Sequence, residues 1–69
     1  MLNVELKSTV DGAEMSATIS YPNDFLPDDP MVFYGFLGDE MIKQLSGDLM
    51  KFSQFMENMK ISNITKVSN

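Results

Sequence analysis

Apolar and polar residues alternate along two stretches at the start of the chain, residues 2–10 and 13–21. A period of two residues is typical of a β-strand with one buried face and one solvated face. Between the stretches lies Asp11-Gly12, a pair that favours a two-residue type I′ turn, since both positions of that turn need a positive φ angle. Together these features predict an antiparallel β-hairpin.

The turn and the alternation predict the same pairing of the two strands. With Asp11-Gly12 as the loop, Val4 lies opposite Ile19, and the apolar residues of both strands share one face. Glu5 then lies opposite Thr18 on the polar face. A slip of one residue would move the apolar side chains of one strand to the solvent side, so the register is strongly specified.

A helical period replaces the alternation over residues 30–59. Seven apolar residues spaced three or four positions apart form one stripe: Leu37, Met41, Leu45, Leu49, Phe52, Met56 and Met59. The acidic pair Asp28-Asp29 is suited to cap the start of this segment. We expect one long helix that lies on the hairpin, with Leu45, Leu49 and Phe52 deeply buried.

Three glycines are weak points of the predicted helix. Gly35, Gly38 and Gly47 each cost about 0.5–1 kcal/mol relative to alanine in a helix interior. The helix is therefore expected to be continuous or kinked. The alternative is a break at Ser46-Gly47-Asp48, with Asp48 starting a second helix.

Residues 61–67 predict a short third strand. Ile61 and Val67 have the same parity and Ile64 has the other, which indicates an edge strand with a β-bulge or a frayed end. The order β-β-α-β predicts an α+β fold with two layers, in a single small domain over residues 1–69. We expect a mainly antiparallel sheet of order 2-1-3, with parallel pairing to the second strand as the alternative.

The composition limits the chemistry available to the chain. It has 69 residues, enough for one small core, and it contains neither cysteine nor histidine. Disulfides, thiolate metal sites and imidazole catalysis are therefore excluded. The adjacent acidic pairs Asp28-Asp29 and Asp39-Glu40 lack the ligand spacing of a calcium loop, and we interpret them as capping and solvated groups. We expect no catalytic residue, no metal site, no cofactor and no enzyme activity.

The charge of the chain argues against two classes of partner. Ten acidic residues and five lysines give a formal charge of −5. Nucleic acids and anionic membranes attract basic proteins, so neither is expected to bind directly. No apolar stretch approaches the ~20 residues of a membrane span, and no secretory signal pattern precedes the first strand. We therefore expect a cytoplasmic protein.

Four apolar residues of the predicted helix fall outside its buried stripe. Val32, Phe36 and Met50 project to the opposite side, and Phe33 lies at the margin. The hairpin has only one apolar face, so nothing else in the chain is left to cover these residues. Clustered exposed apolar groups usually mark a contact surface, and these four residues form the predicted protein-contact site. The alternative is a helix that breaks near its glycines and turns them inward.

These observations predict a small acidic protein that acts by binding another protein. Acidic, cysteine-free chains of this size are common among phage and mobile-element products, so inhibition of a host factor is one form of this function, by analogy alone. A self-associating structural subunit, most simply a homodimer, is one alternative. An acidic mimic of nucleic acid is another, although the carboxylates are dispersed along the predicted helix.

Overall fold

The computed structural model of the chain describes residues 1–68, apart from the side chain of Glu40. Its elements are β1 (Leu2–Val10), β2 (Ala13–Tyr21), a 3-10 helix (Pro30–Phe33), α1 (Tyr34–Gln44), α2 (Leu49–Asn58) and β3 (Lys60–Lys66). The strands form one antiparallel sheet of order β2-β1-β3, and the helices cover one of its faces. The α+β class and the predicted strand order are confirmed.

The hairpin has the predicted turn and register. Asp11 and Gly12 both have positive φ angles, 51° and 81°, as a type I′ turn requires. Val4 pairs with Ile19, and both side chains are buried beneath the helices. On the other face, Thr18 is exposed to solvent. Turn chemistry and alternation therefore place every apolar residue of the hairpin on the covered side.

A β-bulge in β3 explains the imperfect alternation of that strand. The register of β3 against β1 shifts after Glu5, and Ser62 is the extra residue. The shift brings Ile61 and Ile64 to the same side of the sheet, although an odd number of positions separates them. The Ser62 hydroxyl donates to the backbone carbonyl of Glu5 at 3.2 Å and to its carboxylate at 2.8 Å. The prediction of a bulged edge strand is confirmed.

The single long helix predicted over residues 30–59 is wrong, because this segment forms three short helical pieces. The break follows Leu45. Ser46 and Gly47 both have positive φ angles, 54° and 77°. The Gly47 N–H donates to the carbonyl of Ile42 at 2.9 Å, which closes the C-terminus of α1 in a Schellman motif.

Asp48 starts α2, as the alternative interpretation of the sequence proposed. Its carboxylate accepts hydrogen bonds from the backbone N–H groups of Met50 at 3.0 Å and Lys51 at 3.2 Å. A cap of this kind satisfies N–H groups that have no partner within the helix. Asp29 caps the 3-10 helix in the same way, through the N–H of Met31 at 2.9 Å. The 3-10 helix and α2 thus each start at a capping aspartate, whereas α1 follows the 3-10 helix directly, with Phe33 as its N-cap residue.

The break has a geometric cause. A continuous helix of thirty residues would extend about 45 Å, whereas a strand of nine residues extends only about 30 Å. One such helix would project beyond the sheet and leave part of its apolar stripe uncovered. Two shorter helices can both lie on the sheet, α1 mainly on β2 and α2 mainly on β1.

The break also changes which residues form the core. Leu45 and Phe52 are buried as predicted, but Leu49 is 69% exposed, so its predicted burial is wrong. Because α2 is a separate helix, the residues that face the sheet are not those of a continuous stripe from α1. They include Phe55, which is fully buried. Phe33 likewise lies fully in the core at the start of the helical layer.

Candidate protein-contact surface

A buried hydrogen bond anchors α2 to the sheet. The Ser8 hydroxyl, on the covered face of β1, donates to the backbone carbonyl of Phe55 at 2.7 Å. This carbonyl lies in the last turn of α2, where carbonyl groups have no partner within the helix. Ser8 therefore satisfies a group that the end of the helix leaves free.

Two exposed hydrogen bonds strengthen this attachment at the hairpin end of the sheet. The side-chain amide of Asn58 donates to the carbonyl of Thr9 at 3.0 Å. The backbone N–H of Asp11 donates to the side-chain oxygen of Gln54 at 2.9 Å. The C-terminal half of α2 is therefore held against β1 and the turn, while its N-terminal turn carries the exposed apolar residues.

An apolar cleft opens between the start of the helical layer and α2. It has a volume of about 390 Å³ and is lined by Met31, Tyr34, Leu49, Phe52, Ser53, Met56 and Glu57. A second depression adjoins it and shares Leu49, Ser53 and Glu57. Met50 lines this depression and is 78% exposed. We call the two together the helical cleft.

The helical cleft has a buried floor and an exposed rim. Phe52 and Met56 are buried and form the floor. The ring of Tyr34 packs edge-on against that of Phe52, with the ring centroids 5.2 Å apart. Met31, Tyr34 and Leu49 form the rim, and each has about half of its surface or more in solvent. The cleft thus combines a firmly packed base with apolar groups that a second molecule can cover.

Three acidic residues lie in or beside the helical cleft. Glu57 lines it directly, and the capping residues Asp29 and Asp48 stand next to its rim in the sequence. Lys51, the basic residue of α2, lies 3.9 Å from the Asp11 carboxylate, which offsets its charge. The border of the cleft is therefore negative, in keeping with the formal charge of −5.

The structure separates the four residues of the predicted contact site. Met50 lies in the helical cleft, whereas Phe36 is 43% exposed and packs edge-on against Tyr21 of β2, with ring centroids 5.6 Å apart. Val32 is also exposed. Phe33 is fully buried, with its ring 5.4 Å from that of Tyr21, so it belongs to the core and its assignment to the contact site is corrected.

Sequence reasoning missed three rim residues, Met31, Tyr34 and Leu49. Leu49 continues the apolar stripe at a spacing of four residues, so the period placed it in the core. The pair Gly47-Asp48 is the sequence signal for the alternative, a helix break, but the sequence pattern fits a continuous helix as well. A helix that starts afresh after Asp48 places Leu49 in its first turn, outside the inward phase of Phe52 and Phe55.

A separate charged cluster joins Asp24 to the start of β1 and the end of β3, which lie side by side at one end of the sheet. The Asp24 carboxylate accepts a hydrogen bond from the N-terminal ammonium of Met1, and its other oxygen lies 4.0 Å from Lys66 Nζ. The hydrogen bond, then the charge of the ammonium, then that of Lys66, lower the pKa of Asp24. These groups are exposed, and surface ion pairs of this kind stabilise a fold only slightly.

Within the described residues, no group of three or more metal-ligating side chains stands close enough to hold a metal ion. None of the described helices has the length and apolar character needed to cross a membrane. No family model, curated protein or solved structure matches the chain.

Proposed function

We propose that this protein acts by binding another protein, and that the helical cleft is the surface that binds it. The supporting observation is the exposure of Leu49 and Met50 beside a packed apolar floor. Apolar residues in contact with water are common, but a concave group of them beside a rigid base is typical of an interaction site. Asp48 fixes the helix turn that presents them, so the site is formed before the partner arrives.

The chemistry of the cleft favours an amphipathic helix with basic residues beside its apolar face. A groove between helices accepts apolar side chains at successive turns of such a partner. The acidic border of Asp29, Asp48 and Glu57 attracts lysine and arginine around that face. Covering a side chain such as Leu49 contributes about 1.5–3 kcal/mol, so a few contacts of this kind give a specific complex.

A synthetic amphipathic peptide of leucine and lysine is a direct probe of the cleft. Nuclear magnetic resonance titration should shift the amide signals of Tyr34, Leu49 and Met50 first. A peptide with glutamate in place of lysine should bind more weakly, because the border of the cleft repels it. Shifts spread evenly over the surface, or equal binding of both peptides, would contradict the proposal.

The matched variants are Leu49→Asp and Phe25→Asp. Leu49→Asp puts a charge on the rim, and the fold should persist because an acidic side chain is favourable in the first turn of a helix. Phe25 is 83% exposed in the loop after β2, so Phe25→Asp changes an apolar group of similar exposure elsewhere. We expect peptide binding to be lost in Leu49→Asp and retained in Phe25→Asp. Loss in both variants would indicate non-specific adhesion.

The finer aspects of this function stay predictions. Inhibition of a host factor, a phage or mobile-element origin and a cytoplasmic location each need their own test. In the probe experiment, a subunit that self-associates through the helical cleft would show the Leu49 shifts when the protein is concentrated, without any peptide. A nucleic-acid mimic would instead compete with DNA for a basic protein, and Leu49→Asp would not weaken that competition.

A further inference from the structure

β2 has an open edge that lacks the usual protection. In the described chain it pairs with β1 along one side, through all nine of its residues and without a bulge. Natural edge strands are commonly blunted by lysine, proline, bulges or short length, because unpaired backbone groups recruit further strands. The sequence of β2, AEMSATISY, contains neither lysine nor proline, and Glu14 near the turn is its one charged residue.

The opposite edge strand, β3, is protected in several ways. It has a bulge at Ser62 and lysines at both ends, Lys60 and Lys66. The side-chain oxygen of Asn63 also accepts the backbone N–H of Ile64 at 3.0 Å. The contrast between the two edges marks β2 as the one available for pairing.

The turn determines which backbone groups of β2 point outward. A type I′ turn joins Val10 and Ala13 by a hydrogen bond, so alternate residues of β2 starting at Ala13 bond to β1. The carbonyls of Glu5 and Thr9 in β1 point away from β2, because they accept hydrogen bonds from the side chains of Ser62 and Asn58. This agrees with the alternation that the turn imposes. The outward groups of β2 are therefore those of Glu14, Ser16, Thr18 and Ser20.

We propose that β2 pairs with β2 of a second copy of this chain, antiparallel about a two-fold axis at Ala17. This register pairs the whole strand and places the four outward-facing residues of one copy opposite the four of the other. Each of these four pairs can form two backbone hydrogen bonds, so about eight new bonds are possible. Ser16 then faces Thr18 of the second copy, and Glu14 faces Ser20, so no like charges oppose each other. The result is a continuous sheet of six strands with all helices on one face.

The covered face of β2 fits the same arrangement. Ala13 and Met15 at the hairpin end are exposed and half-buried, so α1 leaves this half of the strand open. At the other end Tyr21 is buried, and Phe36 packs on it while remaining 43% exposed. The two-fold axis places Ala13 of each copy beside Tyr21 of the other. Phe36 then covers the open half of the neighbouring strand, and the two α1 helices occupy different halves.

Analytical ultracentrifugation of the full chain tests the proposal first. We expect a concentration-dependent dimer. Thr18→Pro removes one outward N–H and no bond to β1, so it should shift the protein to monomer, whereas Thr18→Ala should remain dimeric. Circular dichroism confirms that each variant is folded. A strict monomer for the unchanged chain, or a dimer that survives in folded Thr18→Pro, would overturn the proposal.

Disulfide trapping tests the register even if Thr18→Pro fails to fold. The chain has no cysteine, so a single new one reports on one position. Ala17→Cys places two thiols opposite each other at the axis, within the distance that a disulfide needs. Ala13→Cys is more exposed but lies opposite Tyr21. Rapid dimer formation by Ala17→Cys alone supports the register, and equal rates for both variants would overturn it.

This proposal is independent of the helical cleft. Leu49→Asp should leave the dimer intact, because Leu49 lies on α2 and not beside β2. A dimer lost in Leu49→Asp and retained in Thr18→Pro would instead assign self-association to the cleft.

Discussion

Replacing Ser8 with alanine removes one buried hydrogen bond and changes little else. Ser8 is 4% exposed, and its hydroxyl donates to the Phe55 carbonyl at 2.7 Å. Alanine has nearly the same volume, so no large cavity forms. The Phe55 carbonyl, however, stays buried without a hydrogen-bond donor, because it lies in the last turn of α2, where the helix itself supplies none.

The expected loss follows from this unsatisfied carbonyl. A buried acceptor left without its partner costs about 1–3 kcal/mol. For a domain of this size, 1 kcal/mol corresponds to a fall in Tm of roughly 4–8 °C. Ser8→Ala should therefore lower Tm by at least several degrees. A larger apolar residue such as valine would not restore it, because it supplies no donor.

Differential scanning calorimetry of Ser8→Ala and Ser16→Ala provides the comparison. Ser16 lies on the open face of the neighbouring strand and is exposed, so its replacement should change stability by less than about 0.5 kcal/mol. Hydrogen exchange should also quicken in α2 relative to α1, because Ser8 anchors α2 to the sheet. Equal Tm values for the two variants, with unchanged exchange in α2, would show that this bond does not anchor the helix.

Three further predictions concern the core, the turn and one charge. Leu45→Ala should cost roughly 2–5 kcal/mol in urea unfolding, and an unchanged midpoint would contradict its burial. Gly12→Val should destabilise the hairpin in the same assay, because Gly12 has φ +81°. Gly38→Ala, in the interior of α1 with no atom in the way of a new Cβ, should instead stabilise the protein by about 0.5–1 kcal/mol. A loss of stability in both variants would refute the backbone explanation. The lowered pKa of Asp24 means that its ionised form stabilises the fold, fully above the ordinary value of 3.8 and progressively less as the pH falls below it. Wild type should therefore exceed Asp24→Asn slightly in Tm at neutral pH and match it in strong acid, whereas a pH-independent difference would exclude this linkage.

The sequence by itself determines the hairpin and its register, and it predicts the bulge in the third strand. The turn pair Asp11-Gly12 and the alternation around it are local features, and they specify one register between them. The parity of Ile61 and Ile64 indicates the bulge in β3 for the same reason, because side chains alternate strictly along a strand. Residues close together in the chain decide both the turn and the bulge, so the sequence was sufficient to predict them.

Only the tertiary structure decides the helical layer and, with it, the candidate contact surface. Leu45 and Leu49 are four residues apart, so a helical period runs through the break between them without a change of pattern. Whether Ser46 adopts its positive φ depends on the length of the sheet below, which two short helices cover better than one long helix does. The burial of Phe33 and the exposure of Leu49 both follow from that choice. No pattern within the helix determines it, because the competing surface lies in strands formed elsewhere in the chain.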